Sequence, residues 1–428
     1  MLAYESLKED GFLISRERSG YYVNGHLNEQ KAEVEKTGIP IEETIDWGER
    51  LTSNARALRN IKKPHNWHEF KYCFVYGQLD PKLFPVKHWR ECWRDAVGVQ
   101  EITDWSRDLI DRDDPLLVDQ IRSRLLTRRG LWVDESQILV TVGAQNALFI
   151  ALRLLLNRQR RFGIENPGYP DVRNIAHIFS DNISDLDVDE KGLVPGFELS
   201  KCDVVYTTPS HQSPTTVTMP ADRRHQLLEQ AEQDDFVILE DDYEAETNFS
   251  SKPLPALMSY DKWGRVVYIG SLSKTLAPGL RLGYLVGPKK FIQEARALRR
   301  LIMRHPPANN QRAAAYFLSR GYHESLLRAL VNSNKMKREI LLKALRKYLP
   351  KWSITPNLGG SSFWLTGPKG MDTRDLAKRC AQESLLIEPG EVHYFSNARP
   401  ANRLRLGYTS IPPEKIEDGV ELLARIAQ

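Results

Sequence analysis

Lys274 stands in the string Ser271-Leu272-Ser273-Lys274-Thr275-Leu276-Ala277-Pro278-Gly279-Leu280-Arg281, one lysine among hydroxyls with an arginine downstream. It follows Val266-Val267-Tyr268-Ile269, an apolar run that reads as a buried strand. A lysine at a strand end can form a Schiff base with an aldehyde cofactor. Ser271, Ser273 and Arg281 could hold a dianionic phosphate. Together they suggest pyridoxal 5'-phosphate (PLP), with Lys274 the candidate for its attachment. A Lys-Thr pair alone would read as a surface loop, but the full string argues against that.

A second string, Val237-Ile238-Leu239-Glu240-Asp241-Asp242-Tyr243, ends an apolar run in three acids and a tyrosine. Ligands of a parallel sheet sit at the carboxyl ends of its strands. A carboxylate there could keep a pyridine nitrogen protonated, and a pyridinium accepts electrons far better than a neutral ring. Asp241 is assigned that part, and Tyr243 a hydrogen bond to the ring oxygen. Neighbouring strand residues point to opposite faces, so Asp242 should turn away. Third, Ile138-Leu139-Val140-Thr141-Val142 breaks at Gly143-Ala144-Gln145, where an amphipathic helix begins. Helix-start N–H groups form an anion site, and glycine allows close approach. Fourth, Glu165-Asn166-Pro167-Gly168-Tyr169-Pro170 offers Tyr169 as a ring to stack on the cofactor.

These strings, with Phe84-Pro85, Thr208-Pro209-Ser210-His211-Gln212 and Leu404-Arg405-Leu406-Gly407, carry a resemblance. From about Asp46 to Gln428 the chain resembles the fold-type I PLP aminotransferases. It looks most like the aminotransferase-type domain of MocR regulators, a subfamily of the GntR-type transcription factors. The resemblance implies an α/β fold, with a large domain built on a mainly parallel sheet and a smaller α+β domain. It implies that Lys274 carries PLP, Asp241 meets the ring nitrogen, Tyr243 the ring oxygen, and Tyr169 the ring face. Ser271, Ser273 and Arg281 would hold the phosphate with the Gly143-Ala144-Gln145 amides. Arg405 would bind a substrate carboxylate, for which a planar fork suits better than a lysine. Gly77 would lie where a loop closes over the substrate. The family builds its site across a homodimer. One departure is Ser213-Pro214-Thr215-Thr216, where many members read Asn-Pro-Thr-Gly. The asparagine's contact to the ring oxygen is then missing, unless Gln212 or His211 replaces it.

The implied function is the ligand-sensing half of a MocR/GntR-type regulator, binding an amino acid or amine as a Schiff base with PLP. The alternative is a working aminotransferase with a vestigial N-terminus. Residues 1–24 begin as an amphipathic helix, stop at Gly11, and continue as two alternating runs around Arg16, Arg18 and Gly20. This resembles the end of a GntR winged helix, a truncated remnant without the helix that braces it. DNA binding is expected only if a complete winged helix is encoded upstream, with Met1 then an internal methionine.

The elements that must position these residues follow in order. Residues 25–45 read as linker, 46–114 as an N-terminal arm with part of the small domain, 115–300 as the large PLP-binding domain, and 301–428 as the small domain. Of 428 residues, 41% are hydrophobic, enough for a large core. Mean hydropathy is −0.46, which excludes an integral membrane protein. The apolar stretch Ala147–Leu156 contains Arg153 and is too short to span a bilayer. Cys73, Cys92, Cys202 and Cys380 lie far apart, with no metal-binding or redox spacing, as suits free thiols in a cytoplasmic protein. The formal net charge of +4 is too small to argue for nucleic acid by bulk electrostatics.

Overall fold

The computed structural model describes residues 2–16, 19–25, 45–52, 55–75, 77, 79–244, 246, 249, 254–356, 359–395 and 399–428. The chain divides into two units, residues 1–58 and 59–428.

The first unit opens with the helix Leu2–Glu9 and a hairpin of Leu13–Arg16 against Gly20–Val23. Gly11 takes φ +77 where the helix stops, a backbone that suits glycine. Tyr4 stacks on Tyr21 with ring centroids 5.4 Å apart. Arg18, and all but the ends of the segment expected as linker, lie outside the described residues.

The second unit is built on an eight-stranded sheet. Its strands are β1 (Ile138–Thr141), β2 (Phe162–Asn166), β3 (Ile183–Asp189), β4 (Gly192–Leu193), β5 (Val204–Thr207), β6 (Val237–Asp242), β7 (Val266–Ser271) and β8 (Gly283–Val286). Their spatial order is β1-β8-β7-β6-β5-β2-β3-β4. The run β7-β6-β5-β2-β3 is parallel. β8 runs antiparallel between β1 and β7, and β4 closes the far edge antiparallel to β3. The mainly parallel sheet follows from its sequence. Its central strands are short Val/Ile/Leu runs without polar alternation, buried on both faces. Helices cover both faces, including Gly143–Leu155, Pro170–Phe179 and Ala221–Gln233.

A four-stranded antiparallel sheet follows, from β9 (Ser353–Ile354), β10 (Ser362–Thr366), β11 (Glu388–Pro389) and β12 (Arg403–Gly407), in the order β9-β10-β12-β11. Its core joins Leu341, Leu345, Phe363, Leu404 and Leu423 to Tyr72 and Phe74. The N-terminal arm thus contributes to the smaller core. Ala314, Phe317, Leu326 and Leu330 instead pack with Tyr268 and Val286 of the large sheet. The helix Tyr322–Tyr348 therefore begins in one core and ends in the other. Among the described residues, no helix is long and apolar enough to cross a membrane.

Candidate functional site

The ends of β6 and β7, the start of the helix Gly143–Leu155 and the middle of β12 converge on a cavity of about 480 Å³. Every residue assigned a place at the site above lines it except Gly143, which lies just behind; the two alternatives, Gln212 and His211, do not.

Lys274 follows β7 and is enclosed. Burial pulls its amine down to about 8; Glu244 opposes that, while Arg405 and Lys63 push the same way. Gly77 packs directly on the amine. A Cβ there would collide with Lys274 Nζ, and the backbone has φ +77. Only glycine fits both the conformation and the space.

The alternation of β6 separates its acids. Leu239 and Asp241 face one side of the sheet, and Ile238, Glu240 and Asp242 the other. Asp241 lines the cavity, and its Oδ2 accepts a 2.8 Å hydrogen bond from Tyr206. Its Oδ1 is buried and has no partner among the described residues. Burial pushes this carboxyl up to about 7; the Tyr206 hydroxyl opposes and the Asp242 charge adds. Asp242 has structural partners instead. It accepts from Arg129 Nε at 2.7 Å and from the Tyr268 hydroxyl at 2.8 Å. Burial works to raise its pKa, but the Arg129 charge and the hydrogen bonds from Ser210, Tyr268 and Arg129 together outweigh this and hold the carboxyl below its ordinary value. Glu240 is consumed too, accepting from the backbone of Leu257 and Met258.

The third string adds Ala144 and Gln145 to the lining. Gly143 takes φ +74, and a Cβ there would press on the Arg281 guanidinium at 3.2 Å. Ser271 Oγ accepts from the Ser273 amide at 3.2 Å, so both serines sit in one turn below the helix start. An arginine, two hydroxyls and a helix N-terminus therefore meet at one end of the cavity, a cradle for an anion. Tyr169 rises from the turn before Pro170–Phe179, its hydroxyl 3.0 Å from Gln145 Oε1 and 3.1 Å from Asp171 Oδ2. Tyr243 and Arg405 complete the lining.

The question left open at Ser213 has a geometric answer. Ser213 itself lines the cavity. The Gln212 amide donates to Glu165 and to the carbonyl of Pro167, and its oxygen accepts from Thr215. His211 is buried, with Nδ1 against the carbonyl of Ser210. Neither lines the cavity. Sequence reasoning missed Tyr206, which supports Asp241, and Glu388 and His393, which lie beside Arg405. Tyr206 follows Val204-Val205 in a buried strand, where its hydroxyl needs a partner, the one available signal.

Residues 109–423 match the family described as aminotransferase class I and II. The chain belongs to the class I and II aminotransferase family. Its relatives include both regulators and enzymes. It is 41% identical over 425 residues to the HTH-type transcriptional regulator TauR of Rhodobacter capsulatus, across 99% of this chain and 87% of that one. It is 30% identical over 310 residues to aromatic-amino-acid aminotransferase 1 of Thermococcus litoralis, across 69% of this chain and 74% of that one. A kynurenine aminotransferase of Pyrococcus horikoshii, solved with PMP, superposes with a TM-score of 0.78 at 26% identity, covering 89% of this chain and 97% of that one. This aminotransferase-family chain thus carries the aminotransferase-like domain of a MocR/GntR-type regulator.

Proposed function

We propose that the chain binds PLP through Lys274 and uses it to capture an amino acid or amine, as the ligand-sensing part of a transcriptional regulator. The observation that carries this reading is Asp241. A buried carboxylate with one oxygen unpartnered among the described residues is costly unless something completes it. A protonated pyridine nitrogen would do so, in the same cavity as an amine of lowered pKa and an anion cradle. When bound, PLP supplies an aldehyde that amines can attack and a ring that withdraws electrons.

The chain's own groups divide the work. Asp241 holds a proton on the ring nitrogen, and Tyr206 fixes the orientation of Asp241. Ser271, Ser273, Arg281 and the first amides of the helix Gly143–Leu155 hold the phosphate. Tyr169 would cover a face of the ring, and Tyr243 would donate to the ring oxygen. Arg405 takes a ligand carboxylate, and the Gly77 backbone closes over Lys274. An amine near pKa 8 is roughly a quarter unprotonated at pH 7.5, so Lys274 can hand over or take a proton at a ligand carbon. That property supports the second reading, a working aminotransferase. Residues 1–24 are read as a winged-helix-like helix and hairpin. The cofactor site is read as completed in a homodimer.

The experiment mixes PLP-loaded protein with a panel of amino acids and amines, and follows cofactor absorbance and keto-acid yield together. A sensor shifts the spectrum with at most one equivalent of keto acid. Sustained turnover selects the enzyme. No spectral response to any amine would remove both.

A further inference from the structure

Beside Arg405 lies a buried acid–histidine pair. Glu388 on β11 stands opposite Arg405 in the antiparallel register. Its Oε1 is 3.6 Å from Arg405 Nη1 and 3.3 Å from His393 Nε2. Exposure is 2% for Arg405, 8% for Glu388 and 0% for His393. The other ring nitrogen, Nδ1, is 3.0 Å from the carbonyl oxygen of Gly168, in the turn that carries Tyr169.

These contacts constrain a proton. A carbonyl only accepts, so His393 Nδ1 must carry hydrogen. Nε2 then meets Glu388 either with a lone pair or with a second hydrogen. A lone pair against a carboxylate sets two buried acceptors against each other, with Arg405 alone to offset the carboxylate, which costs free energy. A proton between them, on either group, removes that cost. The charged groups facing the pair are Arg405 from β12, Lys63 from the segment before Tyr72, and the Lys274 amine after β7. On another side, Trp364 of β10 presents its ring, 5.8 Å between centroids, and brings no charge. Arg405, Glu388 and His393 together are one unit positive with the shared proton and neutral without it.

We propose that Glu388 and His393 are specificity-determining residues, which hold one exchangeable proton that sets how strongly Arg405 attracts a ligand carboxylate. With the proton in place, the site selects α-amino acids over the matching amines. Without it, Glu388 competes with the ligand for Arg405, and the preference fades. The inference rests on the reading that Arg405 receives the ligand carboxylate.

The test uses the full chain loaded with PLP, with cofactor absorbance as readout. L-alanine, ethylamine and propionate are titrated from about pH 5 to 8, because burial holds the His393 imidazole below its ordinary value and the histidine-linked proton leaves toward the acid end of that range. Propionate carries the carboxylate without the amine. Affinity for L-alanine relative to ethylamine, and for propionate alone, should fall roughly tenfold as pH rises, since a neighbouring charge shifts such equilibria by a unit or more. Glu388→Gln removes the competitor, so propionate should bind about tenfold more tightly at high pH, with the slope lost. His393→Gln keeps a donor to Glu388 without an exchangeable proton, so binding should stay at the weak, high-pH value throughout. A merely structural role would weaken both variants and leave the wild-type slope intact, and that result overturns the proposal. So does the absence of propionate binding in both wild type and Glu388→Gln. If propionate behaves as expected but neither amine changes the spectrum, the PLP-capture reading fails while the Glu388–His393 assignment stands.

Discussion

Replacing Asp241 with asparagine changes one atom in a buried site and separates cofactor binding from stability. Asparagine keeps an oxygen for the Tyr206 hydroxyl, which donates 2.8 Å to Asp241 in the native chain. It cannot supply a negative charge to a pyridinium. A hydrogen bond to a charged group contributes about 1.5–3 kcal/mol net. At 1.4 kcal/mol per factor of ten, Asp241→Asn should weaken PLP binding roughly 10- to 100-fold. The cofactor-free protein should respond in the opposite sense. Burial raises the Asp241 carboxyl from the ordinary value of 3.8 to about 7. Between those values the folded chain holds a proton that the unfolded chain has released. Its contribution to stability therefore declines as pH rises from about 4 to about 7. Cofactor-free Asp241→Asn should be more stable than wild type at pH 8, and the gap should close toward pH 4. Asp242→Asn is the control. It breaks a buried ion pair with Arg129, a loss of about 3–5 kcal/mol in such sites, so its melting temperature should drop by several degrees. PLP affinity of the folded Asp242→Asn fraction should change little. The assays are fluorescence titration with PLP and thermal melts across pH. If Asp242→Asn weakens PLP binding more than Asp241→Asn does, the facing of β6 is misassigned and the argument from Asp241 collapses.

Other substitutions probe the remaining walls. Gly143→Ala forces an L side chain into φ +74 and against Arg281, which should cost about 1–2 kcal/mol and weaken PLP binding about tenfold in the same titration. Wild-type affinity would show that the helix start is not the phosphate cradle. Gly77→Ala must displace the Lys274 amine and take an L side chain into φ +77, which should cost about 1–2 kcal/mol and slow the PLP absorbance change several-fold; an unchanged rate would place that loop away from the bound cofactor. The PLP-loaded chain should sediment as a homodimer at micromolar concentration, through an isologous interface, and a PLP-loaded monomer would contradict this.

Much of the site was legible because its groups sit at strand ends. An apolar run that ends in Asp241, or in Ser271 and Lys274, announces both the strand and the group at its mouth. Two-residue periodicity then separates Asp241 from Asp242, and the partners of each bear out that separation. What stayed hidden depends on contacts between distant segments. Tyr206 supports Asp241 from thirty-five residues away. Glu388 before Pro389-Gly390 reads as an ordinary turn acid until β11 aligns with β12 and places it beside Arg405. Gln212 looked able to serve the cofactor, because nothing local reveals that Glu165 and the Pro167 carbonyl already engage its amide. The helix Tyr322–Tyr348 hides its change of core in the same way, since its apolar stripe is continuous and only the partners differ along it.

The central claim is that PLP is held covalently by Lys274. The most direct measurement is borohydride reduction of the PLP-loaded chain, followed by peptide mapping. The account predicts one phosphopyridoxyl group per chain, on the peptide that contains Ser271-Leu272-Ser273-Lys274, and none on a Lys274→Ala chain. A label on another lysine, or none on PLP-saturated wild type, would contradict it.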